Sequence, residues 1–143
     1  MAWREKVAWL AIAGMALGYG PFFYALVLAR ASAAGEGSVR RFLLLLAIAS
    51  AVRVAVEIGG RLVLAMRRGA EARAPADERD RAIAARGARL AYFVLLAGMI
   101  VVGMVLPFSL QGMAIVASAL LALAAAELIR YLAIALSYRL GWQ

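Results

Sequence analysis

Four long apolar runs constrain this chain more than any other feature of its sequence. They extend from Val7 to Leu28, Phe42 to Met66, Leu90 to Phe108 and Met113 to about Leu136. A bilayer core about 30 Å thick takes roughly 20 helical residues at 1.5 Å each, so every run is long enough to cross once. The runs are continuously apolar and lack two-residue alternation, which selects helices over barrel strands. The expected fold is all-α: an integral membrane four-helix bundle made of two helical hairpins, one membrane domain over residues 1–143. Helices are expected at about 3–29, 39–68, 77–108 and 113–139, with a polar segment at 67–89.

Composition agrees with this reading. Of the 143 residues, 66% are hydrophobic and 17% charged, against roughly 45–50% and 25% in soluble domains. Too little polar side chain remains to cover a water-exposed surface. Arg4 and Lys6 before the first run, with Ala31-Ser32-Ala33 after it, resemble a secretory signal and its cleavage site. The run exceeds a signal core of about 7–15 residues, so a retained helix is expected.

The net charge of +8 sits in clusters between the runs. Arg4, Lys6, Arg67, Arg68, Arg73, Arg79, Arg81, Arg86, Arg89 and Arg139 fall on one side; Arg30, Arg40 and Arg41 fall on the other. The positive-inside rule then places both termini and segment 67–89 in the cytoplasm, in an inner membrane. Trp3, Trp9 and Trp142 lie near that interface, where amphipathic rings are comfortable. The basic charge therefore reads as orientation, with no direct nucleic-acid binding expected.

The external loop 30–41 is short and rich in small residues, including Ala33-Ala34-Gly35-Glu36-Gly37-Ser38, and offers no ligand set. Ser109 to Gly112 reads as a tight external turn after Pro107. In segment 67–89, Gly69 is expected to end the second helix and Pro75 marks the break. Asp77 reads as an N-cap, with Asp80 three residues on in a carboxylate version of the capping box. The third helix should therefore begin about three turns before the membrane. Its Ile83 and Leu90 are apolar, while Arg79, Arg81, Arg86 and Arg89 can meet anionic lipid headgroups or dock a soluble regulator. Asp77, Glu78 and Asp80 are interleaved with Arg79 and Arg81, and no second acidic cluster exists, so capping explains them better than a metal.

The second span carries Arg53, Glu57 and Arg61 at four-residue spacing, hence on one face. The fourth carries Glu127 and Arg130, also on one face. Depth-matching suggests Glu57 opposite Arg130, and Glu127 opposite Arg53 or Arg61. An unpaired central charge costs at least ~2.5–3.5 kcal/mol to insert, so facing lipid is disfavoured. Three positive charges meet two negative ones, and Arg61 is the cation expected to snorkel free. Together with Tyr19 and Tyr131, this group forms either an architectural network or an ion or ligand site. Gly18-Tyr19-Gly20-Pro21 predicts a kink or a short unwound turn in the first helix. Gly14 and Gly18 also form a GxxxG packing pattern. Ser118, Ala122 and Ala126 make a small-residue face that packs either within the chain or between copies, so a homo-oligomer is a further expectation.

The halves echo each other. Ala13-Gly14-Met15 matches Ala97-Gly98-Met99, and Glu57 with Arg61 matches Glu127 with Arg130. Both hairpins would start in the cytoplasm, giving a parallel pseudo-repeat about an axis along the membrane normal.

Three further segments carry a resemblance. They are Trp3-Arg4-Glu5-Lys6 with Ala8-Trp9, then Asp77-Glu78-Arg79-Asp80-Arg81 with Ile83, and Glu127 with Tyr138-Arg139-Leu140-Gly141. With these, the chain resembles a family of small, uncharacterised prokaryotic four-helix membrane proteins defined only as a domain of unknown function. The resemblance implies a four-helix inner-membrane protein and supplies no catalytic residues. It also implies a regulatory role, since members of such families are encoded near small DNA-binding regulators.

No Cys or His is present. Disulfides, thiol chemistry, zinc sites and His-based acid–base catalysis are therefore excluded. No phosphate loop or activated serine is evident, so no enzyme, catalytic residue, metal or cofactor is expected. A quinone site stays open, because Tyr and Arg can bind one. The two functions weighed are a membrane-embedded regulatory or partner-binding protein, and an oligomeric transporter or channel with a midplane Arg/Glu site.

Overall fold

The computed structural model describes residues 3–31, 39–73, 77–110 and 112–140. The helices are α1 (Trp3–Ala31), α2 (Val39–Arg73), α3 (Glu78–Ile100) and α4 (Met113–Leu140). A π-helical turn, Val101–Val105, and a 3-10 turn, Leu106–Phe108, follow α3. All four helices are long and apolar enough to cross a membrane. The expected loop residues 33–38, Pro75 and Trp142 lie outside the described residues.

Two compact units emerge, Leu10–Gly69 and a second made of Met1–Trp9 with Ala70–Gln143. In the first, α1 and α2 run antiparallel. Gly60 lies against Leu10, Gly14 against Val56, and Gly18 against Ala49 and Arg53. A β-carbon on Gly18 would stand 2.8 Å from the Ala49 carbonyl oxygen. Only glycine lets the two backbones come this near. Phe22 then stacks edge-on against Phe42, with ring centroids 5.5 Å apart. In the second unit, α3 and α4 also run antiparallel, with Gly87 against Ile134 and Gly98 against Ala122.

Alanines make up much of the interior, beside Met15, Phe22, Phe42, Ile83 and Val102, and many large apolar side chains face outward. Ala8, Ala11, Ala49, Ala117, Ala126 and Ala135 are buried, while Phe108 is 91% exposed and Met66, Met104 and Tyr24 are similarly open. In the most apolar stretch of the third span only 6% is buried. In water this distribution would forfeit most of the apolar burial that drives folding. In lipid it is expected, because helices there associate by close packing of small residues. The four spans thus suggest a multi-pass membrane protein.

Three local expectations change. The helical backbone of α1 runs unbroken through Pro21, so no unwound turn occurs at Gly18, Gly20 and Pro21. Proline removes one amide bond to the preceding turn, which a long helix tolerates when its other bonds persist. Nor does Gly69 end α2, which continues helical to Arg73. A glycine costs only ~1 kcal/mol inside a helix and terminates one only when a left-handed residue is adopted. The irregular backbone appears in α3 instead. Pro107 lacks an amide to donate, and just before it the helix widens, with the Leu106 amide bonded to the Val101 carbonyl. The amides of Ser109 and Leu110 both return to the Leu106 carbonyl, at 2.9 and 2.7 Å. Gly112, at φ 58°, supplies the left-handed residue before α4.

Candidate functional site

The charged residues of the second span find partners close by. Arg53 Nη1 donates to the Tyr19 hydroxyl at 2.9 Å, and its guanidinium lies 5.2 Å from that ring's centroid. Tyr19 therefore meets the cation with both its hydroxyl and its ring. Glu57 accepts from Arg61, four residues on in the same helix. Arg61, expected as the spare cation, is thus held by Glu57. A glutamate four residues before an arginine is the favoured order on a helix and needs no tertiary contact to form. In α4, Glu127 is half-buried and engaged, while Arg130 is exposed with its guanidinium 5.8 Å from the Tyr131 ring centroid.

A denser polar cluster forms where the first turns of α1, the start of α3 and the end of α4 meet. Asp77 caps α3: its side chain accepts from the Asp80 amide at 2.6 Å, and its carbonyl accepts from the Arg81 amide at 3.1 Å. The reciprocal half of the expected capping box is replaced. The Asp80 carboxylate turns away from Asp77 to pair with Arg4 Nε at 2.9 Å and to accept from the Tyr138 hydroxyl. One carboxylate thus ties together three helices. Ile83 and Gly87, three and seven residues further on, are buried on the same side of α3. Gly87 has the Arg130 carbonyl and Ile134 against it, so α3 lies close on α4.

A second contact lies nearby. Glu5 is only 5% exposed and pairs with Arg139 Nε at 3.6 Å. The Arg139 guanidinium also lies 5.7 Å from the Trp9 ring centroid. Glu5 and Trp9 are one turn apart on α1, so Arg139 reaches both from the end of α4. Glu5 Oε1 and the Trp9 indole nitrogen are buried without a hydrogen bond. A buried carboxylate depends on such a cation, because an unpaired charge there would be costly.

Beside Asp80 the unit holds a half-open cleft of about 240 Å³. Arg4, Asp80 and Tyr138 form its polar side, Trp3 and Tyr131 add rings, and Val7, Ile83 and Ile134 line the apolar side. Around the rest of this end of α3, Glu78, Arg79, Arg81, Arg86 and Arg89 are exposed, with Arg79 and Arg86 flanking Ile83. Among the described residues no group of three or more acidic side chains is placed to hold a metal ion.

Sequence reasoning had placed Arg4, Glu5, Tyr138 and Arg139 only as orientation signals or as parts of the resemblance. Their one visible clue is that all three resemblance segments carry polar residues at helix ends, and those segments are the ones that meet. No family model, curated protein or solved structure matches the chain.

Proposed function

We propose that this protein is a membrane-embedded regulatory protein that docks a soluble partner with an acidic surface on the exposed side of α3. In this reading it belongs to the small four-helix inner-membrane family it resembles, spans the membrane four times with both termini cytoplasmic, and contacts anionic headgroups there. Its two hairpins are a parallel pseudo-repeat, in which Gly14 and Gly98 take matching places against their partner helices.

The observation that supports the docking role is the two-sided start of α3. Asp80, Ile83 and Gly87 hold one side against α1 and α4, while Arg79, Arg81, Arg86 and Arg89 remain exposed. An anchored helix presents its charges in a fixed array, which lowers the ordering cost of binding. Complementary charge would guide an acidic partner to it.

Crosslinking and affinity capture of the tagged full chain from native membranes test this. A specific soluble protein should be recovered, and the Arg86→Gln/Arg89→Gln double variant should recover much less of it. Recovery of none, or equal recovery by the variant, refutes the docking role.

A further inference from the structure

We propose that the cleft beside Asp80 is a binding site for one anionic phospholipid headgroup, with its phosphate on Arg4. The cleft, at about 240 Å³, falls just below the ~300–1,000 Å³ of ordinary small-molecule pockets. It suits a headgroup and the first carbons below it, and is too small for a whole lipid.

Its walls have the two characters a lipid needs. Val7, Ile83 and Ile134 form an apolar side. Trp3 and Tyr131 add amphipathic rings of the kind that settle at headgroup level. Arg4 is the charged group at the mouth. Its Nε pairs with Asp80 and its side chain stays 40% exposed, and a guanidinium carries four further N–H donors on its two terminal nitrogens. Guanidinium and phosphate match in geometry, so a second bond pair is available without giving up the first.

The sign of the ligand follows from the same contacts. Asp80 is already neutralised by Arg4 and bonded by Tyr138. The two charges offset each other, but the Arg4 side chain is 40% exposed against 19% for Asp80, so the cation is the more accessible member of the pair and an anion the better-matched ligand. The chain's net charge of +8 adds a background that favours an anion. A free phosphate would leave the apolar wall unused, which is why a lipid is preferred over a soluble phosphate.

Native mass spectrometry of the delipidated full chain in detergent tests this with three probes of matched acyl chains or none: phosphatidylglycerol, phosphatidylcholine and glycerol 3-phosphate. One phosphatidylglycerol should be retained per chain, and about tenfold less phosphatidylcholine, because its choline cation offsets the phosphate charge and is opposed by Arg4. Arg4→Gln should weaken phosphatidylglycerol by a similar factor. Because Arg4 also braces Asp80, a second variant is needed: Ala84→Phe fills the cleft from an exposed position on its lining and should also abolish retention. Lys6→Gln removes a charge at the same end outside the cleft and should leave retention unchanged. Equal binding of phosphatidylcholine, full retention by Ala84→Phe, or an equal loss with Lys6→Gln would overturn the site. Glycerol 3-phosphate binding as tightly as the lipid would overturn the lipid assignment.

Discussion

In the α1–α2 hairpin, Gly14 and Gly18 bring the helices together, and the polar contact between them, Arg53 with Tyr19, falls near the middle of the span Arg40–Arg67. In the α3–α4 hairpin, Gly87 and Gly98 serve the same purpose, and a hydrogen bond between the two helices, Tyr138 to Asp80, lies at their ends. The difference shows what each location permits. Within the span, Arg53 meets a tyrosine on the facing helix and Glu57 a residue one turn away. At the helix ends, water and headgroups lower the cost of charge, and a single carboxylate can recruit two distant elements.

The sharpest way to break this comparison is to remove a glycine contact. A β-carbon on Gly18 would lie 2.8 Å from a backbone oxygen and 2.9 Å from Arg53 Cβ, neither of which can swing aside. Gly18→Val should therefore destabilise the protein by about 1–3 kcal/mol or more in a reversible detergent-unfolding assay. A value within experimental error of the unsubstituted chain would mean the helices do not depend on this approach.

Asp80→Ala should come next. It removes the acceptor for both Arg4 and Tyr138, and with partial exposure of the pair, a cost of about 1–2 kcal/mol is expected in the same assay. Tyr138→Phe, which deletes one of the two bonds, should cost about 1 kcal/mol. Tyr19→Phe probes the mid-span contact, where interhelical bonds average about 0.6 kcal/mol. If Tyr19→Phe proved costlier than Asp80→Ala, the contrast between span and ends would be reversed.

The smallest effect should come from Gly60→Ala. The atoms nearest its new methyl belong to the Leu10 side chain, which can shift, and the gain in helix propensity of up to ~1 kcal/mol offsets the crowding. A near-zero change beside a large one at Gly18 would show that the neighbour's rigidity, not the glycine itself, sets the cost.

Much of the architecture was legible because it is local. The spans follow from apolar length, the start of α3 from Asp77, and the turn after α3 from Pro107. The Glu57–Arg61 pair was within reach too, since it is a one-turn spacing, but depth-matching between helices drew attention elsewhere. The Asp80 cluster was not legible. Arg4, Asp80 and Tyr138 are separated by dozens of residues, and only tertiary packing brings them together. Asp80 also looked satisfied by a local capping role, which hid its reach to α1 and α4. Of the kink or unwound turn expected at Gly18–Pro21, the unwound turn does not occur, since α1 is helical through Pro21.

The wide turn at Val101–Val105 also bears on how the chain tolerates changes in length. A π-helical turn holds one residue more than an α-helical turn. Deleting one residue there, Gly103 for instance, would convert it to ordinary helix and leave the segments on either side in phase. Deleting Ala124 from α4 would instead rotate everything beyond it by about 100° and turn Ala135 and Tyr138 away from their places. Losing a residue there should therefore cost less than losing one from α4, and expression and folding of the two deletion variants would test it directly.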